Sequence, residues 1–178
     1  MKIYQLKITL KHIKPPIWRC VEVPADIGLK DLCDTLIDVM GWDGYHLMSL
    51  NIGGEEFFGD KESADEMGGR VMGKTKLNKL ITAPKQKFLL EYDFGDGWEH
   101  DIVLEKILDP EPGASYPRCT AGKRACPPED CGGPWGYEHL LAVLNNPKNP
   151  EHESMLEWVG GEFDVEGFSV EEVNGRLG

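Results

Sequence analysis

The stretch FLLEYDFGDGWEHDIVL, residues 88–104, decides the fold because it has the pattern of two strands joined by a tight turn. Apolar and polar side chains alternate over 88–93 and again over 98–105, which is the two-residue period of a half-buried strand. The four residues between them, FGDG at 94–97, are typical of a turn. The stretch therefore predicts an antiparallel hairpin with one buried face.

The first forty residues predict a second hairpin followed by a helix. Residues 3–12 alternate in the same way, and 17–23 is rich in β-branched residues. From Leu29 to Met40 the apolar spacing becomes that of a helix, and Gly41 follows where a left-handed residue commonly ends one.

The remaining chain predicts one more hairpin, two loops and a helical end. Residues 46–58 fit a short hairpin, and 59–74 are Gly-rich and charged, which is typical of an exposed loop. Residues 109–136, rich in Cys, Pro and Gly, predict a long irregular loop. Helical spacing then returns in the acidic part, 137–178.

These elements predict an α+β fold. We expect a mainly antiparallel sheet of about five or six strands, one helix inserted early, and several short helices in the C-terminal third. No linker or internal repeat divides the chain, so residues 1–178 are expected to form a single domain.

The charge balance points away from nucleic acid. The chain carries 19 Lys and Arg against 31 Asp and Glu, a net charge of −12, and residues 151–178 hold only one of the basic side chains. A phosphate backbone is met by clustered Lys and Arg, and no such cluster occurs here. Direct binding of nucleic acid is therefore not expected, and the expected partner is a protein or a small ligand.

The N-terminal residues carry charges every few positions, in contrast to the continuous apolar run of a signal peptide. No later run is long and apolar enough to span a membrane. These features predict a soluble, cytoplasmic protein without membrane association. Its five cysteines are then expected as reduced thiols.

Polar residues of the kind found in binding sites concentrate in the turn of the hairpin at residues 88–104. Asp93 and Asp96 suit a tight turn by themselves, and carboxylates that lie close together can also share a cation. Alternation places His100 beside Trp98 on the core face, where a histidine is more often a packed side chain than a ligand. The full set of candidates for a ligand pocket is Asp93, Asp96, Trp98, His100, Glu129, Asp130, Arg19 and His46.

Three cysteines of the irregular loop, Cys119, Cys126 and Cys131, form a second candidate site. Thiolates on one loop, completed by a histidine such as His100, are what Zn²⁺ prefers, so zinc or another divalent metal is the candidate cofactor. The separation of Cys119 and Cys126 is wider than the spacing of about two to four residues common in zinc sites. Free thiols packed as small apolar side chains are therefore the alternative.

Four blocks of sequence resemble the plasmid pRiA4b ORF-three-like family, and the resemblance covers nearly the whole chain. The blocks are PIWR at 16–19, GW at 41–42 with HL at 46–47, YDFGDGWEH at 92–100, and the segment from Gly122 through CPPEDCGG at 126–133 to Gly136-Tyr137. The resemblance implies an α+β domain with short helices after the sheet. It implies no particular activity, although labels within the family suggest transposon resolvases or a repressor.

Two positions depart from the pattern expected for that family. Cys131 stands where relatives are expected to have a residue other than cysteine, which leaves Cys119 and Cys126 as the better zinc pair. Trp135 replaces a proline.

Three functions are compatible with these residues. The favoured one is a non-enzymatic binding or regulatory domain with a polar Asp/His/Glu pocket, because no complete set of nucleophile, base and electrophile is evident. The first alternative is a metal-dependent hydrolase, with phosphodiesters as one candidate substrate class. The second is a zinc-stabilised structural module linked to mobile-element proteins. No catalytic residue is assigned, so enzymatic activity is left open.

Overall fold

A computed structural model describes residues 1–178 and shows an α+β protein built on one eight-stranded sheet. The strands are β1 (Ile3–Leu10), β2 (Trp18–Pro24), β3 (Met48–Ile52), β4 (Glu55–Phe58), β5 (Arg70–Val71), β6 (Lys87–Tyr92), β7 (Trp98–Leu108) and β8 (Arg118–Lys123). The helices are α1 (Leu29–Met40), α2 (Lys61–Met67), α3 (Gly133–Leu144), α4 (His152–Trp158) and α5 (Val170–Arg176). No helix has the length and apolar character needed to cross a bilayer.

The strand order in the sheet is β5-β4-β3-β6-β7-β1-β2-β8, and every neighbouring pair is antiparallel except β4 with β5. The register aligns the alternating apolar residues of the central strands. Leu6 lies opposite Leu104, and Ile8 lies opposite Ile102. All four side chains are fully buried, so one face of the sheet carries the core.

Helix α1 belongs to the same core because its apolar spacing matches the helical period. Leu29, Leu32 and Leu36 are fully buried, and each such side chain contributes about 1.5–3 kcal/mol relative to an exposed one. The helix ends where Gly41 takes φ 118° and donates its N–H to the Ile37 carbonyl.

The predicted fold class is confirmed, but the predicted number of strands was too small. One of the missed strands is β5, which is only two residues long and lies with α2 inside the stretch expected to be a loop. The other is β8, which lies inside the segment expected to be irregular and pairs with β2. Neither strand has an apolar alternation long enough to predict it from the sequence. Each adopts the strand conformation through pairing with its neighbour in the sheet.

At the free edge of β8, the backbone of Cys119 is paired with a side chain from α5. The Asn174 amide accepts the N–H of Cys119 at 2.7 Å and donates to the carbonyl of the same residue at 3.0 Å. Ser169 caps the N-terminus of α5, because its hydroxyl accepts the N–H of Glu172 at 3.2 Å.

The segment that leads into α3 packs directly on the turn between β6 and β7. The N–H of Gly132 donates to the Asp96 carboxylate at 3.1 Å. Gly133 has φ 68°, and a Cβ atom at this position would lie only 2.1 Å from the Asp96 carbonyl oxygen. This close approach of two backbones requires a glycine.

Replacing Gly133 with alanine is therefore expected to lower the free energy of unfolding by more than about 3 kcal/mol, because a steric clash adds to the cost of a left-handed alanine. Gly113→Ala is the matched control, since Gly113 has φ 79° and open space around it; its expected cost is about 1–2 kcal/mol. Urea unfolding measures both. Equal losses in the two variants would show that the close approach to Asp96 is not a constraint.

Candidate metal centre

The first acidic residue of the site directly follows strand β6. Asp93 has φ 56°, a left-handed conformation that residues other than glycine seldom adopt. Its Oδ1 accepts the N–H groups of Gly95 at 3.0 Å and Asp96 at 3.3 Å, and its own N–H donates to the Leu47 carbonyl at 2.9 Å. These bonds leave Oδ2 for His46, whose Nε2 lies 3.5 Å away.

The acidic loop before α3 is held against the sheet by Glu129. Its Oε1 accepts the backbone N–H of Asp43 at 2.8 Å and the hydroxyl of Tyr92 at 3.0 Å. Nearby, the Trp42 indole N–H donates to the Pro127 carbonyl at 2.9 Å. Burial and the adjacent carboxylate raise the pKa of Tyr92, so its hydroxyl keeps the proton that it donates.

The second aspartate of the site comes from the same loop. Asp130 also has φ 56°. Its Oδ1 lies 2.9 Å from Nε2 of His46, and its Oδ2 accepts the hydroxyl of Tyr45 at 3.2 Å. Ligand atoms of His46, Asp93 and Asp130 all lie within 4.8 Å of one another, an arrangement that can hold a metal ion.

Two buried atoms of this cluster lack a hydrogen-bond partner. They are Nε2 of His46 and Oε2 of Glu129, which lie 3.9 Å apart. Although Asp130 Oδ1 is only 2.9 Å from Nε2, it does not lie where an N–H on that nitrogen would point. Buried polar atoms are nearly always paired, and a cation bound between these atoms would give both of them a partner.

The structure brings together four of the eight predicted pocket residues, namely His46, Asp93, Glu129 and Asp130. Asp96 lies beside them, but its carboxylate is engaged with Gly132.

Trp98 and His100 lie in the core and not in this cluster. Both are fully buried, as the alternation of the strand predicted. The Nδ1 of His100 donates to the Leu90 carbonyl at 3.2 Å, and its ring packs edge-on against Trp42. Burial lowers the pKa of His100 to about 4, so the imidazole is neutral at pH 7.

Arg19 lies in β2, and its buried side chain packs against the end of α1 instead of joining the cluster. Its guanidinium donates to the carbonyls of Val39 and Lys123 and stacks on the ring of Phe168, 4.6 Å from the ring centroid. These contacts tie α1 to β8 and the C-terminal segment. The arginine therefore has a structural partner for most of its polar surface.

The three loop cysteines and His100 do not converge into a group of metal-ligating atoms. Cys119 lies in β8 and its thiol contacts the Ala121 carbonyl at 3.5 Å. Burial raises the pKa of the Cys126 thiol, and it raises that of Cys131 to about 12. Both groups are therefore protonated at neutral pH.

Three partners of the site were missed in the sequence, namely Tyr45, Tyr92 and the Asp43 backbone. A usable signal existed for Tyr92, because alternation puts it on the core face at the end of a strand. A buried tyrosine hydroxyl needs a polar partner, and the nearest turn is acidic.

The chain is therefore an α+β protein with a His/carboxylate cluster where β3 begins and β6 ends. The chain belongs to the plasmid pRiA4b ORF-3-like protein family, whose model matches residues 2–172. The resemblance stated from the sequence is thereby confirmed.

Two relatives match nearly the whole chain. The chain is 34% identical over 176 residues to the uncharacterized protein y4hQ of Sinorhizobium fredii, covering 97% of this chain and 89% of that protein. It is also similar to the crystal structure of MM3350, a protein of unknown function from Methanosarcina mazei Go1. That match has a TM-score of 0.88 and 37% identity, and it covers 96% of this chain and 97% of the other.

The neutral His100 makes stability depend on pH. Its folded pKa of about 4 lies below the value of about 6.5 for an unfolded chain. The contribution of the neutral ring to the free energy of unfolding is therefore complete above about pH 6.5 and is lost as the pH falls towards 4. Between pH 7 and pH 5 the free energy of unfolding is expected to fall by ~2 kcal/mol from this cause.

We expect His100→Gln to remove this part of the pH dependence, measured as the free energy of urea unfolding at the two pH values. His139→Gln is the control, because the His139 side chain is 57% exposed. An unchanged pH dependence in His100→Gln would show that His100 is not the source of the loss of stability between pH 7 and pH 5.

Proposed function

We propose that this protein binds a divalent cation through His46, Asp93 and Asp130, with Glu129 as the fourth ligand, and that it works as a metal-dependent binding domain. One observation carries the proposal. The buried, unpartnered Nε2 of His46 lies within 2.9–3.9 Å of three carboxylates.

The donor set indicates which cations fit. Imidazole nitrogen suits Zn²⁺ and other transition metals, whereas carboxylate oxygens suit Mg²⁺, Ca²⁺ and Mn²⁺. One nitrogen with three carboxylates therefore favours Mn²⁺ or Zn²⁺, which accept both donor types.

The cluster is closed on one side and open on the other. The side chains of Asp93 and Glu129 are 10% and 16% exposed, whereas that of Asp130 is 58% exposed. A cation held here keeps a side on which it can take an exogenous ligand, which is what a binding domain requires.

The same open side favours a second candidate function, metal-dependent hydrolysis, because a cation lowers the pKa of a bound water. In this alternative His46, Asp93 and Asp130 hold the cation, and Glu129, whose Oε2 lies 3.9 Å from His46 Nε2, accepts the proton of that water instead of acting as a ligand. No lysine or arginine forms an ion pair with Asp93, Glu129 or Asp130, so the metal is the main group that could neutralise the charge of a phosphodiester substrate.

We expect His46→Ala and Asp130→Asn each to weaken binding of Mn²⁺ and Zn²⁺ at least about tenfold, since each removes one ligand at a cost of more than about 1.4 kcal/mol. Isothermal titration calorimetry measures both affinities. His12→Ala is the matched histidine control and is expected to bind like the parent, because His12 is paired with Glu99 and lies outside the cluster.

Undiminished binding by His46→Ala would refute this centre. Zinc that is retained by His46→Ala and lost from Cys119→Ser/Cys126→Ser would instead establish the zinc-stabilised structural module. Hydrolysis of simple carboxylic esters by the metal-loaded protein, lost in Glu129→Gln while metal is still bound, would favour the hydrolase.

A further inference from the structure

An apolar cavity adjoins the candidate metal centre. It has a volume of about 220 Å³ and lies between α3 and α4, with Leu140, Met155 and Trp158 among its walls. Asp130 and His139 are also part of its lining. The carboxylate of Asp130 lies 2.9 Å from His46, so the cavity and the proposed centre share a residue.

We propose that the exogenous ligand of the centre is a small uncharged molecule. It coordinates the cation through a neutral oxygen, such as the carbonyl of an amide, and places an apolar group in this cavity. The inference rests on the proposed function, since it takes the cation at His46, Asp93, Glu129 and Asp130 as one of the two contacts.

The charge of the centre argues for a neutral oxygen donor. Three carboxylates, a neutral imidazole and a divalent cation sum to −3 + 2 = −1, and the whole chain carries −12. An anionic donor would add like charge in a partly buried site, where charge repulsion is stronger than in water. A carbonyl oxygen coordinates without that cost.

The walls of the cavity argue for an apolar group. Helix α4 buries none of its residues, and Trp158 is 50% exposed. Covering apolar surface stabilises a complex by about 25 cal/mol per Å². The cavity is smaller than the pockets of about 300–1,000 Å³ that hold drug-sized ligands, so a single ring is the size that fits.

The test uses the full chain loaded with Mn²⁺ and the paramagnetic relaxation of ligand protons in solution NMR. Three probes separate the two contacts: benzamide has the ring and a neutral carbonyl, acetamide lacks the ring, and benzoate has the ring with a negative charge. We expect benzamide to bind at least about tenfold more tightly than either of the other two, a difference of about 1.4 kcal/mol.

Variants of the cavity walls test where the ring of benzamide binds. Trp158→Ala and Leu140→Ala are each expected to reduce benzamide binding at least about fivefold, a loss of about 1 kcal/mol. Trp135→Ala is the matched control, because Trp135 is 81% exposed and lies outside the cavity. Electron paramagnetic resonance of Mn²⁺ checks that all of these variants hold the metal.

The outcomes are distinct. Failure of the parent to bind either Mn²⁺ or Zn²⁺ would overturn the proposed function and this inference with it. If only Zn²⁺ binds, the same three probes are compared on the zinc-loaded chain by calorimetry. Bound Mn²⁺ with equal affinity for benzamide and acetamide, or with no effect of Trp158→Ala and Leu140→Ala, would overturn the inference alone. Tighter binding of benzoate than of benzamide would overturn the neutral-donor assignment.

Discussion

A single carboxylate oxygen connects three separate parts of the chain. Oε1 of Glu129 accepts the N–H of Asp43, just beyond α1, and the hydroxyl of Tyr92, at the end of β6. The side chain is only 16% exposed, so water does not compete freely for these bonds. The position of Asp130 depends on this contact, because Asp130 is the next residue along the loop. The arrangement of His46, Asp93, Glu129 and Asp130 therefore depends on how this loop packs against the sheet.

The local patterns of the chain account for most of the fold. Alternation located β1, β6 and β7, and helical spacing located α1 together with its end at Gly41. These elements bury apolar side chains at a fixed period, which is what a sequence displays directly. Strand β8 was missed because its order comes from pairing with β2, a contact between distant parts of the chain.

The same distinction explains how much of the site could be predicted. Alternation was enough to place His100 and Trp98 on the core face, and both are buried there. The side chains with the right chemistry at Asp93, Glu129 and Asp130 were recognised by type alone. That His46 joins them depends on the bond between the Asp93 N–H and the Leu47 carbonyl, which sets β3 beside β6. A register between strands so far apart in sequence has no local signal.

The side chain of Asn174 has a consequence for how copies of the protein behave in a crowded solution. Its amide gives Cys119 the donor and acceptor that a further strand would supply. The opposite edge ends in a strand of only two residues. An open edge is a template on which other chains add strands and grow into fibrils or exchanged dimers. The Asn174 amide takes up the bonding groups of Cys119, so a further strand cannot pair with β8 at that residue.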